Sequence, residues 1–251
     1  MATIHFLGTG SAYPSSERDN TSILFSFEDK HFLVDVSGNP AKRLKELNKS
    51  LREIDTLLIT HTHIDHIFGL PSLLWGMWLE DRTEPFTIYV DYRNENQLHT
   101  WLDTISIKEW DIRFDIQINT FNGAEVSELF VCNDLQLFSI PAIHSVPTVG
   151  FEFIYKAKRI VYSADTAINE LIKEYNYIDL LIHEATFASK NSTFHSSMEE
   201  VLTYYPLDQI EKLIFVHLSE NEPYNEVYDK LVNDNKKSSI KIAYDQMKIS
   251  L

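Results

Sequence analysis

His61-Thr-His-Ile-Asp-His66 places four metal-ligand side chains within six positions. A β-rich run from Asp55 to Ile59 ends just before it, so the segment reads as a loop leaving a strand. On such a loop His61 and His63 turn toward one metal while Asp65 and His66 turn toward a second. Imidazole nitrogens and a carboxylate suit Zn2+, and also Mn2+ or Fe2+. Each ion then needs one further histidine. His144 and His217 are the candidates, and Asp165 can place one oxygen on each of two divalent metal ions. That arrangement brings a shared water close to ionisation at neutral pH. A lone histidine usually ligates nothing; four ligand-type residues in six positions, followed by three more near strand ends, are a different matter. His5, His31, His99 and His183 lack such a setting and read as packing or surface residues.

Outward from this segment, β-branched and aromatic runs alternate with helical spacing. Strands are expected over Thr3–Leu7, Ser22–Phe27, His31–Val36, Phe86–Val90, Leu135–Ile140, Val149–Tyr155, Arg159–Ser163, Leu180–His183 and Lys212–Val216. Asn39 reads as an N-cap with Pro40 at the first helical position, opening a helix to Asn48. Further helices are expected over Leu70–Leu79, Asn94–Ile105, Ala167–Glu174, Ser197–Tyr205 and Glu222–Val232. Such a mixture most economically makes two β-sheets with helices outside, because each strand face needs an apolar partner. The ligand-type residues fall at strand ends, where rigid supports converge on one edge. Gly8-Thr-Gly10 reads as a structural bend, since no helix follows it.

The chain has 251 residues, 44% of them hydrophobic, and a formal net charge of −15. No linker or low-complexity tract divides it, so residues 1–251 read as a single domain. The longest apolar runs fall far short of a membrane span, and no basic leader precedes an apolar stretch. With Cys132 as the one cysteine, no internal disulfide forms, which fits a reducing cytoplasm. Cys132 itself reads as a small core hydrophobe. The acidity weighs against attraction of a large polyanion.

The motif His-x-His-x-Asp-His, with His144, Asp165 and His217, resembles the metallo-β-lactamase superfamily over nearly the whole chain. Within it, Phe6-Leu-Gly-Thr-Gly-Ser-Ala-Tyr-Pro, Gly69-Leu-Pro-Ser-Leu-Leu, Arg82-Thr-Glu-Pro-Phe-Thr-Ile-Tyr, His144-Ser-Val-Pro-Thr-Val-Gly-Phe, Tyr162-Ser-Ala-Asp-Thr and His183-Glu-Ala-Thr-Phe are similar to the ribonuclease Z branch. The resemblance implies an α/β fold, the αββα four-layer sandwich, commonly as a homodimer, and cleavage of phosphodiester bonds. It implies one metal on His61, His63 and His144, the other on Asp65, His66 and His217, and Asp165 bridging. It further implies a catalytic set of Asp65 with the pair Glu184 and His195, His195-Ser-Ser197 matching the branch's His-Ser-Thr. His195 would protonate the leaving oxygen.

The departures concern the substrate. Ribonuclease Z enzymes carry a long basic arm for tRNA, often between the positions of His144 and Asp165, where only 20 residues intervene here. The branch's Asp-Cys-Gly-Glu-Gly-Thr segment is Asp35-Val-Ser-Gly-Asn-Pro40, and its basic and aromatic pair near the last histidine is Glu220-Asn221. Lys156, Lys158 and Arg159 read as a solvated hairpin tip. The expected partner is therefore a phosphodiester, either RNA at a 3′ end or a small molecule, and no membrane. The alternative is a carbonyl-directed hydrolase of lactonase or thioesterase type. Trp75, Trp78, Trp101 and Trp110 are expected in core packing.

Overall fold

In a computed structural model describing residues 1–251, the chain forms fourteen strands: β1 (Ala2–Gly8), β2 (Ser22–Phe27), β3 (Lys30–Val34), β4 (Thr56–Leu58), β5 (Phe86–Asp91), β6 (Ile116–Phe121), β7 (Ser127–Cys132), β8 (Leu135–Pro141), β9 (Val149–Tyr155), β10 (Lys158–Tyr162), β11 (Leu180–Glu184), β12 (Leu213–Val216), β13 (Ile240–Ile242) and β14 (Lys248–Ser250). The helices are α1 (Pro40–Glu46), α2 (Ile64–Ile67), α3 (Leu70–Leu79), α4 (Glu95–Thr104), α5 (Glu170–Lys173), α6 (Met198–Tyr204) and α7 (Tyr224–Leu231). They fall into two units, each holding one seven-stranded sheet.

The first unit, residues 1–9, 16–122 and 244–251, has the strand order β14-β1-β2-β3-β4-β5-β6. β1 to β3 form an antiparallel meander, and β3 to β6 run parallel. The switch follows from the connections: tight turns join antiparallel neighbours, whereas parallel neighbours need crossovers, here α1, α2 with α3, and α4. Those helices bury Leu44, Leu73, Leu74, Met77, Leu98 and Leu102 in one cluster with Leu24, Leu33, Leu57 and Ile88. Trp78, Trp101 and Trp110 pack against that cluster as expected, whereas Trp75 is 44% exposed.

Arg82 ties this unit together from inside. It is buried, and its guanidinium donates to the carbonyls of Arg52, Ile54, Glu84 and Pro85 at 2.8–3.2 Å. Removing it leaves several carbonyls without donors in a site closed to water, the costly side of hydrogen-bond accounting. Arg82→Met is therefore expected to destabilise the protein by about 3 kcal/mol, read as a lower urea midpoint at unchanged slope.

The second unit, residues 10–15 and 123–243, repeats the scheme. Its order is β13-β12-β11-β10-β9-β8-β7, antiparallel from β7 to β10 and parallel from β10 to β13. Met198, Val201, Val161, Leu181 and Phe215 share its core.

Three departures from expectation have local causes. The helix expected over Ala167–Glu174 is only Glu170–Lys173, because the Asn169 side chain caps it by accepting from Leu171 N and the Ala167 N–H is taken by the Ile143 carbonyl. β6, β7, β13 and β14 are strands that the sequence pattern does not mark; all four are sheet edges with exposed residues, so their apolar signal is weak. Cys132 is consequently half-buried at the end of edge strand β7 and is not a core residue.

Candidate metal centre

Parallel strands deliver their carboxyl ends to one edge of a sheet, where loops meet ligands. In the first unit the ends of β3 and β4 carry Asp35 and Thr60 to His66. Asp35 is fully buried in left-handed backbone at φ 55°. Its carboxylate accepts from the Thr60 N–H at 2.9 Å, the Thr60 hydroxyl at 2.9 Å and His66 Nδ1–H at 2.7 Å. Burial pushes this carboxyl above its ordinary range, and the His66 ring and the Thr60 donors oppose the shift. With its hydroxyl proton committed to Asp35, Thr60 Oγ1 accepts from His61 Nδ1–H at 3.0 Å. The Nδ1 atoms of both His61 and His66 are thereby protonated, which leaves each Nε2 with a lone pair.

His63 stands immediately before α2, which carries Asp65 and His66 on one turn. Gly69 lets this turn approach the loop after β3: its N–H donates to Val36 O at 2.7 Å, and a Cβ there would lie 2.6 Å from the same oxygen. Two pairs result. His61 Nε2 lies 3.0 Å from His63 Nδ1, and His66 Nε2 lies 3.2 Å from Asp65 Oδ2.

In the second unit the ends of β8, β10, β11 and β12 carry His144, Asp165, Glu184 and His217. Ala164, directly before Asp165, and His217 both sit in left-handed backbone, at φ 54° and 56°. Non-glycine residues held there mark places where packing overrides local preference, commonly at functional sites. Glu184 is fully buried and accepts from the N–H groups of Thr166 and Thr186, the Thr186 hydroxyl and His195 Nδ1–H, at 2.8–3.1 Å. Thr186 Oγ1 in turn accepts from His217 Nδ1–H at 2.9 Å. His217 Nε2 lies 3.3 Å from Asp165 Oδ2. His144 donates from Nδ1 to the Phe194 carbonyl at 2.9 Å, and its ring centre lies 4.9 Å from that of His195.

One device thus occurs in both units. A buried carboxylate at a strand end, Asp35 or Glu184, takes the hydroxyl proton of a threonine, Thr60 or Thr186. That threonine then accepts from a histidine, His61 or His217. The same carboxylate holds a second histidine directly, His66 or His195. Asp35, Thr60 and Thr186 are absent from the ligand set read from sequence, and their signal is faint because each acts only through a histidine.

The donor set fits divalent metals. Tetrahedral ligands at about 2.0–2.1 Å from one ion stand about 3.3 Å apart, and the three pairs above lie at 3.0–3.3 Å. A hydrogen bond that fixes the far ring nitrogen is the usual support for a metal-ligating histidine. Residues without this setting lie elsewhere. His183 is buried with Nδ1 on the Glu184 carbonyl, Arg159 pairs with Glu152 at 2.6 Å, and the Lys156 side chain lies over the Tyr155 ring. Ser197 caps α6 in a capping box with Glu200.

The fold and motifs have known counterparts. A family model described as anti-Pycsar protein Apyc1 matches residues 2–238. A ribonuclease Z of Methanococcus maripaludis is 25% identical over 309 aligned positions that cover 99% of each chain. The metallo-β-lactamase fold protein YhfI from Bacillus subtilis superposes with TM-score 0.81 at 16% identity over the full length of both chains. The short form of human tRNase Z superposes with TM-score 0.79 at 23% identity, over 99% of this chain and 98% of that one. The architecture is that of the metallo-β-lactamase fold, as the motifs implied.

Proposed function

The chain belongs to the anti-Pycsar protein Apyc1 family, and from that premise we propose that it is a two-metal phosphodiesterase whose substrate is a small phosphodiester rather than a tRNA precursor. His61, His63 and His144 hold one ion, Asp65, His66 and His217 the other, and Asp165 both; the donor chemistry favours Zn2+, with Mn2+ or Fe2+ as alternatives. The relatives named ribonuclease Z and tRNase Z support phosphodiester chemistry on this fold. Bound metals supply a nucleophile at neutral pH and offset charge on the phosphate. The ring nitrogens that face the centre would hold the ions, and the protein's own proton donor is His195, held by Glu184, which would protonate the departing oxygen.

The choice of a small substrate rests on one observation. Where the resemblance puts a tRNA-binding arm, β9 and β10 are joined by two residues, Lys156-Ala157, both at positive φ, a tight hairpin turn with no insertion. Consistent with this, the 309 aligned positions to the Methanococcus relative exceed the 251 residues here, so at least 58 have no counterpart. The charge of −15 points the same way.

A homodimer and a cytoplasmic location belong to the same reading. Exposed Ile64 on α2, Phe68 just after it, and Trp75 and Leu79 on α3 support the first, as apolar side chains open to a partner. No helix is long and apolar enough to cross a membrane.

The test is hydrolysis of bis(p-nitrophenyl) phosphate beside a precursor tRNA with a 3′ trailer, with zinc- and manganese-loaded protein and Asp65→Ala as control. Turnover of the diester alone is the expected result. Cleavage of the tRNA at its trailer junction would overturn the substrate assignment, and activity on neither would overturn the reading altogether.

A further inference from the structure

At the end of the first unit's sheet away from Asp35 lies a cavity of about 510 Å³ lined by His5, Ser26, His31, Lys49 and Lys248 among others. β3 begins beside it at Lys30 and ends at Val34, next to Asp35, so this cavity is separate from the residues of the metal centre in that unit. His5 lies opposite Lys248 in the β1–β14 register, and Ser26 opposite His31 in the β2–β3 register.

Three features set it apart from an ordinary surface dent. First, His5 is only 7% exposed, and its Nδ1 is buried without a hydrogen-bond partner. A buried ring nitrogen in that condition is costly, and native structures seldom leave one unanswered. Second, the charges acting on His5 are all cationic, Lys248, Lys49 and His31, although the chain as a whole carries −15. Third, the lining holds two acids, Glu28 and Glu53, of which Glu53 is answered by Lys49, so that Lys248 is left as a cation without an ion-pair partner. Glu53 pairs with Lys49 at 3.3 Å, and Asp55 accepts from the His31 N–H. His31 Nδ1 is bonded to Ser26 Oγ at 2.8 Å.

We propose that this cavity is a second binding site, for a phosphate-bearing small molecule whose anionic group rests on His5 and Lys248. The volume exceeds what phosphate alone fills and falls within the range of small-molecule sites. A phosphate offers several acceptor oxygens and up to two charges near pH 7, which suits an imidazole N–H beside an ammonium. Without an anion, burial and Lys248 hold the His5 ring down at about 4; a bound phosphate reverses the second of these causes.

The experiment uses inorganic phosphate as the probe and reads the imidazole NMR signals of His5 and His31 in the metal-loaded protein. Phosphate held at the metal centre does not report at these positions. Expected are a saturable shift of the His5 signal and a rise of its protonation midpoint from about 4. In Lys248→Glu, a change on an exposed side chain, the affinity falls about tenfold or more, while turnover of bis(p-nitrophenyl) phosphate stays within about twofold of the parent. In His5→Gln the His31 signal serves as the second probe, and its response to phosphate weakens likewise. A His5 signal that does not move with phosphate overturns the proposal, and so does an equal response in Lys248→Glu.

Discussion

Asp165→Ala is expected to lower hydrolysis of bis(p-nitrophenyl) phosphate by about 10³-fold or more, equivalent to about 4 kcal/mol of lost transition-state stabilisation. Asp165 is buried, with Oδ2 3.3 Å from His217 Nε2, on a turn that holds Ala164 in left-handed backbone. On the proposed reading, this carboxylate is the anion that both ions share. Without it, the ion positions lose their shared anion, and bound metal measured by elemental analysis is expected to fall from two per chain to one or fewer. The fold is expected to persist, because each unit's core is separate from this side chain. Near-parental activity with two metals retained would remove Asp165 from the centre.

The contrast between what sequence reveals of this site and what it hides follows from the range of the interactions. His61 to His66 are legible because four ligand types in six positions have few other uses, and β4 ends just ahead of them. Asp35 is not legible, because its partners Thr60 and His66 stand 25 and 31 positions away, joined to it only once β3 and β4 pair in parallel. Thr186 is closer to its carboxylate, two residues from Glu184, but its second partner, His217, is 31 residues on. The fold behaves likewise. Buried runs such as Val149–Tyr155 appear with correct bounds, since burial on both faces demands continuous apolar residues. Edge strands β6 and β7 escape notice, because one half-exposed face dilutes the pattern that marks a strand.

His195→Ala is expected to separate two classes of diester. A leaving group that departs as a stable anion, such as p-nitrophenolate, needs no proton, and its turnover should fall by less than about tenfold. An alkyl leaving group departs as a strong base, and its turnover should fall by about 10²–10⁴-fold, the range of a lost general acid. The geometry motivates the split. His195 is the histidine held by Glu184 directly, Nδ1 at 2.9 Å, and Nδ1 stands 4.0 Å from Asp165 Oδ2. On the proposed reading, His195 stands beside the ligands and moves the proton at Nε2. Its Nδ1–H faces a buried carboxylate that accepts four donors, which is why Nε2 is the nitrogen proposed for that step. Metal content should be unchanged in the variant. Equal losses on both diesters, together with loss of an ion, would make His195 a ligand and leave the departing oxygen to be protonated by solvent.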